Sequence, residues 1–123
     1  STDVTSAYDA MYKGSCDMKN IAYLGHGMAF NKFTWARGKS GSNDANDEYL
    51  GNIRAIMEKN NVAIQFSELG RVDLGGGGTI AYILALYSIQ VIDSGVAVSN
   101  MHSTWEITSK IDVYETKKGY NAF

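Results

Sequence analysis

His102, Asp3 and the four-glycine run Gly75-Gly76-Gly77-Gly78 are the parts of this chain best suited to chemistry. His102 stands in Asn100-Met101-His102-Ser103, between a stretch that reads as a strand and one that reads as a helix. A histidine on a short loop between rigid elements can act as a metal ligand or a general base. The alternative is a buried imidazole that only satisfies its hydrogen bonds, which is the commoner case. Asp3, in Ser1-Thr2-Asp3-Val4, offers the hard oxygen that zinc accepts, although a lone aspartate at such a place is usually just solvated. The glycines remove every side chain ahead of Thr79, so backbone N–H groups there can approach an anion or a peptide main chain. They lack the lysine-serine or lysine-threonine ending of a nucleotide P-loop and the spacing of a dinucleotide fingerprint. A substrate-contact loop and a tight packing connector both remain open.

The other polar candidates are weaker. Lys39, in Arg37-Gly38-Lys39-Ser40, is either a cation for a substrate carboxylate or a solvated loop lysine. His26, between Gly25 and Gly27, has no legible partner and reads as structural or exposed. Cys16 sits in the polar stretch Lys13-Gly14-Ser15-Cys16-Asp17 and reads as incidental rather than nucleophilic. As the single cysteine it excludes an internal disulfide, which fits a reducing, cytoplasmic location. Trp35 and Trp105 read as packing residues.

These residues need elements to hold them. Residues 21–33 read as one or two strands with a turn at Gly25 and Gly27. Residues 44–60 read as a helix, because Ala45, Tyr49, Ile53, Ile56 and Met57 fall at spacings of three and four. Asp44, Asp47 and Glu48 at its start and Lys59 at its end suit the helix dipole, and Asn60-Asn61 is a stop. Residues 62–66 read as a buried strand. Residues 79–88 are apolar nearly all round, which as a helix would be buried. Residues 90–99 read as a strand interrupted at Gly95. Ser103-Thr104-Trp105-Glu106 has the form of a capping box, predicting a helix over 105–120 with Ile107, Ile111 and Tyr114 on its inner face. Alternating helices and strands give an α/β class, a sheet covered by helices, and functional groups in such folds gather in loops after strands.

Composition narrows the function. The 123 residues suit one domain, and 45% hydrophobic residues suffice for a core. A net charge of −2 argues against nucleic acid as a partner. The longest apolar run, residues 79–92, falls short of the roughly 18 residues of a membrane span and ends at Asp93, so no membrane partner is expected. The start at Ser1 and the absence of proline predict a segment of a longer protein.

Four stretches in register resemble the aspartyl aminopeptidase family of cocatalytic zinc metallopeptidases, especially its bacterial branch. They are Ser1-Thr2-Asp3-Val4; Arg37-Gly38-Lys39-Ser40-Gly41-Ser42-Asn43-Asp44-Ala45; Glu68-Leu69-Gly70-Arg71-Val72-Asp73 running into the glycines and Thr79-Ile80-Ala81; and Val91-Ile92-Asp93 through Met101-His102-Ser103 to Glu106 and Ser109-Lys110. The resemblance covers essentially the whole chain. It implies that Asp3 binds one zinc and His102 the other, that Lys39 faces an acidic substrate side chain, and that Gly77 and Thr79 line the substrate cleft. It also implies that this is the C-terminal catalytic segment. The general-base glutamate, the bridging aspartate, the remaining ligands and the inserted dimerisation domain precede the counterpart of Ser1 in the family, so no catalytic residue is expected within these positions. Thr2 replaces the family's usual alanine, and Ala10, Ala63, Ala97 and Thr104 stand where bacterial members often have proline.

The expectation is therefore a segment of a zinc-dependent aminopeptidase that releases N-terminal residues, acidic ones as the expected class, from peptides. The full-length protein is expected to be a homo-oligomer. The alternative is a non-catalytic binding or assembly module derived from the same domain. A third reading, different chemistry on Cys16 and a histidine, has no supporting motif.

Overall fold

The computed structural model describes residues 1–34, 41–71 and 79–123. Lys39, Gly77 and Trp35 lie outside the described residues. Among those described, the strands form two three-stranded sheets and a two-stranded ribbon, with helices packed against them, in keeping with the expected α/β class.

The central strand is β2 (Met28–Asn31), whose four residues are all buried. It pairs in parallel with β5 (Ile64–Ser67) and antiparallel with β6 (Asp93–Gly95). Strand β5 lies within two residues of the expected 62–66. The second sheet orders β1 (Thr5–Ser6), β7 (Ala97–Ser99) and β8 (Ile107–Thr108), with β1 parallel to β7 and β8 antiparallel to it. β3 (Phe33–Thr34) and β4 (Asn43–Asp44) make the ribbon. The apolar stretch expected as one strand thus splits at Val96 into β6 and β7, which belong to different sheets. Gly95 permits the switch. A Cβ there would stand 1.7 Å from the carbonyl oxygen of Asp3, so only glycine lets residues 2–6 run alongside 94–98.

Helix α1 (Asp47–Lys59) starts three residues after the expected residue 44, because Asp44 belongs to β4 and Ala45 precedes the cap, while its end matches. Asn46 caps it, its side-chain oxygen accepting from the N–H groups of Glu48 and Tyr49 at 2.8 and 3.3 Å. Ile53 and Met57 enter the core beside Met28, Phe30, Val62 and Ile92.

The two later helices depart from expectation. The apolar run after Thr79 forms only the short α2 (Ala81–Ala85), of which Ala81 is buried. Ile80, Ile83, Leu84, Leu86 and Tyr87 are exposed, so an all-round apolar sequence here does not mark a buried helix. α3 (Lys110–Ala122) starts five residues later than the capping-box pattern predicts, with Ser109 as its N-cap. Its inner face carries Asp112, Thr116 and Gly119. Ile111 and Tyr114, expected inside, are 58% and 61% exposed; Ile107 on β8 is exposed as well, and Trp105, expected to pack, is 82% exposed.

Backbone requirements set this rotation of α3. Fully buried Asp112 accepts the N–H groups of Gly25 and Gly27 at 2.7 and 2.8 Å, tying the turn before β2 to the helix. Gly119 lets the helix settle onto β2, since a Cβ there would meet the Met28 sulfur at 2.4 Å. Half-buried Glu115 accepts the Ala63 N–H at 2.8 Å and pairs with Lys118 at 3.0 Å. The Ala63 N–H first, and Lys118 after it, hold the Glu115 carboxyl below its ordinary value against the opposing effect of desolvation.

Gly95→Ala lowers stability by about 1–3 kcal/mol or more through overpacking. Gly51→Ala, at an open position within α1, raises it by about 0.5–1 kcal/mol; urea midpoints moving in the same direction for both would contradict the packing described. Because the folded-state pKa of Glu115 is lowered, its contribution is present above the unfolded carboxylate pKa and is lost as pH falls through the folded value. Glu115→Gln is thus less stable at neutral pH and shows a shallower acid limb in a pH series of melts.

Candidate functional site

The β1–β7 ladder organises the candidate residues. Its register pairs Thr5 with Ala97 and Ser6 with Val98, and the Asp3 N–H donates to Ser94 O at 3.0 Å, which brings Asp3 level with Gly95. The Asp3 side chain is exposed, and its Oδ1 accepts the Val4 N–H at 2.8 Å. It lines an open groove of about 700 Å³ with Thr2, Val4, Thr116, Lys117 and Tyr120. The Tyr120 hydroxyl closes one wall by donating to Ser94 O at 2.8 Å.

His102 lies in the connection from β7 to β8. Asn100 and His102 both take left-handed backbone angles, φ 60° and 66°, and the Ser103 N–H returns to Asn100 O at 3.0 Å. Non-glycine residues hold such angles only where their surroundings enforce them. Glu106 does so here: its Oε1 accepts the His102 N–H at 2.6 Å. The capping-box glutamate therefore fixes a histidine loop rather than a helix start. The imidazole is exposed, and no hydrogen bond holds it among the described residues. Met101 beside it reaches β1, its sulfur 4.0 Å from the Ser6 hydroxyl.

Asp3 and His102 consequently stand toward opposite ends of one ladder. Gly95 and Ser99 are separated by about 13 Å of strand at a rise near 3.3 Å per residue, and His102 lies beyond Ser99. The two residues lie just beyond the ladder, Asp3 ahead of β1 and His102 after β7, and make no contact. Carboxylate oxygen and imidazole nitrogen are donors that zinc accepts, yet no group of three or more His, Cys, Asp or Glu side chains able to hold a metal ion occurs among the described residues. Each residue fits as a single donor, and neither completes a site.

Thr79 points inward. It is buried, and its hydroxyl donates to Oδ2 of Asp93; the Thr34 hydroxyl approaches the same oxygen at 3.4 Å. Asp93 is fully buried on β6, paired across the ladder with Asn31. Along the chain it is only the polar end of an apolar run, the ordinary meaning of a charged residue at a strand border. His26 is exposed, its Nδ1 3.2 Å from Leu24 O, as expected of a structural or exposed residue. Cys16 is partly exposed, its Sγ 3.8 Å from Lys13 O. Half-buried Glu68, directly after β5, has its carboxyl raised by burial first and by the charge of Asp17 after it.

A model of the family described as aminopeptidase I zinc metalloprotease (M18) matches residues 1–123. The chain belongs to the M18 family. It is 59% identical over all 123 residues to the probable M18 family aminopeptidase 1 of Clostridium acetobutylicum, covering 26% of that protein. The crystal structure of aminopeptidase I from the same organism superposes with a TM-score of 0.92 over 99% of the chain and 27% of the solved one. The M18 aminopeptidase structure from Thermotoga maritima, 43% identical, gives a TM-score of 0.92 over the same shares, 99% and 27%. The M18 chain thus spans about a quarter of the length of the curated relatives it matches.

Ligand counting gives a direct expectation. Three protein ligands ordinarily hold a catalytic zinc, and a ligand bound by the folded state raises the melting temperature. The isolated 123-residue chain should therefore melt within about 1 °C with and without micromolar zinc, in line with that linkage. A large shift abolished by His102→Ala would mean that further donors have been overlooked.

Proposed function

We propose that this M18 chain is part of a zinc-dependent aminopeptidase acting on peptides, in which Asp3 ligates one zinc and His102 a second. The observation that supports it most is the family match across the entire chain, combined with two exposed donor side chains that flank the β1–β7 ladder. Zinc, when bound, polarises a carbonyl and lowers the pKa of a bound water. The Val4 N–H occupies Oδ1 of Asp3 and fixes the carboxylate plane. Glu106 fixes the backbone that presents His102. Two neighbouring zincs stand about 3.5–4 Å apart with bonds near 2 Å, so donors up to roughly 8 Å apart serve them. The two side chains must lean toward each other along the ladder to meet that limit.

Lys39 is assigned to the acidic side chain of the substrate, and Gly77 with the backbone at Thr79 to the cleft wall. The general base, the bridging carboxylate and the remaining ligands belong to the parts of the curated relatives that this chain does not span. A cytoplasmic homo-oligomer is the assembly we propose. No helix among the described residues is long and apolar enough to cross a membrane.

The test is a panel of N-terminal residues on a chromogenic amide, offered to the full-length natural protein. Turnover should be highest for aspartate and glutamate, vanish with a chelator and return with zinc. Lys39→Ala should lower kcat/KM for acidic residues by about tenfold or more, the equivalent of a charge-assisted hydrogen bond, and leave neutral ones within about twofold. Equal losses would make Lys39 structural. No turnover of any residue in the presence of zinc would leave the binding-module reading in its place.

A further inference from the structure

The Asp3 carboxylate is exposed, and the hydrogen bond it accepts comes from its own neighbour, Val4. Its place is therefore set by its backbone. That backbone lies ahead of β1 and hangs on Ser94. Thr2 bridges Ser94 in parallel, the Ser94 N–H donates to Ser1 O at 2.8 Å, and the Asp3 N–H donates to Ser94 O at 3.0 Å. The Ser94 carbonyl accepts a second donor, the Tyr120 hydroxyl, at 2.8 Å. Both lone pairs of this oxygen are thus engaged, one by Asp3 and one by α3.

Tyr120 reaches Ser94 from a fixed base. Asp112 commits α3 to one rotation through the Gly25 and Gly27 N–H groups, and Gly119 seats the helix on β2. Tyr120 then lines two spaces. One is an apolar cavity of about 160 Å³, lined also by Met28, Phe30, Ile53, Met57 and Phe123. The other is the open groove of about 700 Å³ that Asp3 lines. A phenylalanine would form the same walls with no polar atom to satisfy. Only the hydroxyl reaches Ser94 O, so packing alone does not account for a tyrosine here.

We infer that Tyr120 is a positioning residue for Asp3: its hydroxyl fixes the Ser94 carbonyl from which the Asp3 backbone hangs, and so holds the carboxylate at the groove. The inference deepens the aminopeptidase reading and rests on it for the zinc that Asp3 ligates, but the hold on the Asp3 backbone does not depend on activity. Without the hydroxyl, Ser94 O keeps the Asp3 N–H and loses its tie to α3. Zinc takes a carboxylate oxygen at about 2.0–2.2 Å, so slack in the ligand's backbone appears as lost affinity.

Tyr120→Phe keeps the ring and removes the hydroxyl. In the metal-free, full-length natural protein, hydrogen exchange at the Asp3 N–H should speed by about tenfold, the size of one hydrogen bond. The Gly27 N–H, held by Asp112, should stay within about twofold in the same mass-spectrometric measurement. Zinc titrated against a chelator should show one ion weakened by about tenfold or more, the ion that Asp3→Ala loses, and the ion lost in His102→Ala unchanged within about twofold. Tyr114→Phe, on the exposed side of α3, is the control and should match wild type in both measurements. Exchange at Asp3 within about twofold of wild type would overturn the proposal. So would faster exchange shared equally by Gly27, or equal weakening of both ions, either of which makes the hydroxyl a general support of the fold. Faster exchange at Asp3 with both zinc affinities unchanged would overturn it too, because the hold would not reach the ligand. A wild-type protein that binds no zinc would sink the zinc aminopeptidase reading instead, and the exchange rates would still decide whether Tyr120 holds Asp3.

Discussion

The close approach of the Asp3 carbonyl to Gly95 is the contact on which this architecture turns. A side chain at position 95 would occupy the space that this oxygen fills. With glycine there, residues 2–6 lie along 94–98 and form the parallel β1–β7 ladder. The chain then leaves the β2 sheet at Gly95 and enters the second sheet at Ala97. The same contact sets where Asp3 sits relative to the loop that carries His102. Local steric freedom at one backbone position thereby fixes the relation between the two proposed zinc donors.

Polar groups in the interior determine orientation elsewhere. Asp112 reaches two backbone N–H groups of the Gly25–Gly27 turn and commits α3 to one rotation, even though this leaves Ile111 and Tyr114 in solvent. Asn31 accepts from the Thr5 hydroxyl at 3.0 Å and the Ser67 hydroxyl at 2.7 Å, joining β1, β2 and β5. Asp93 gathers Thr34 and Thr79 in the same manner. A buried polar group left without a partner is costly, so each of these side chains constrains its neighbours more sharply than apolar contact would. Apolar packing is concentrated where α1 meets β2, around Met28, Ile53 and Met57.

Elements whose signal is local were legible. α1 has its periodicity and its charged ends within one stretch, whereas the expected buried strand at residues 62–66 becomes a half-exposed β5 containing Gln65 and Ser67. α3 was misplaced because Glu106, three residues after Ser103, imitates a capping box while accepting the His102 N–H. α2 was overextended because an apolar run does not reveal how much surface will cover it. In the candidate site, the family motifs pointed to Asp3 and His102, whereas Asp93 and Thr34 carried no chemical signature. Their meeting joins residues 59 positions apart.

Family membership and the α/β class reside in motifs and short-range patterns, and so are readable along the chain. Only the folded chain sets Asp3 and His102 beyond opposite ends of the β1–β7 ladder. It also decided that Thr79 faces a buried carboxylate and that α3 turns its polar side inward. The physical reason is the same in each case. Strand register, close backbone approach and the satisfaction of buried polar groups depend on residues brought together from distant parts of the chain, and spacing along the chain does not encode which partners will meet.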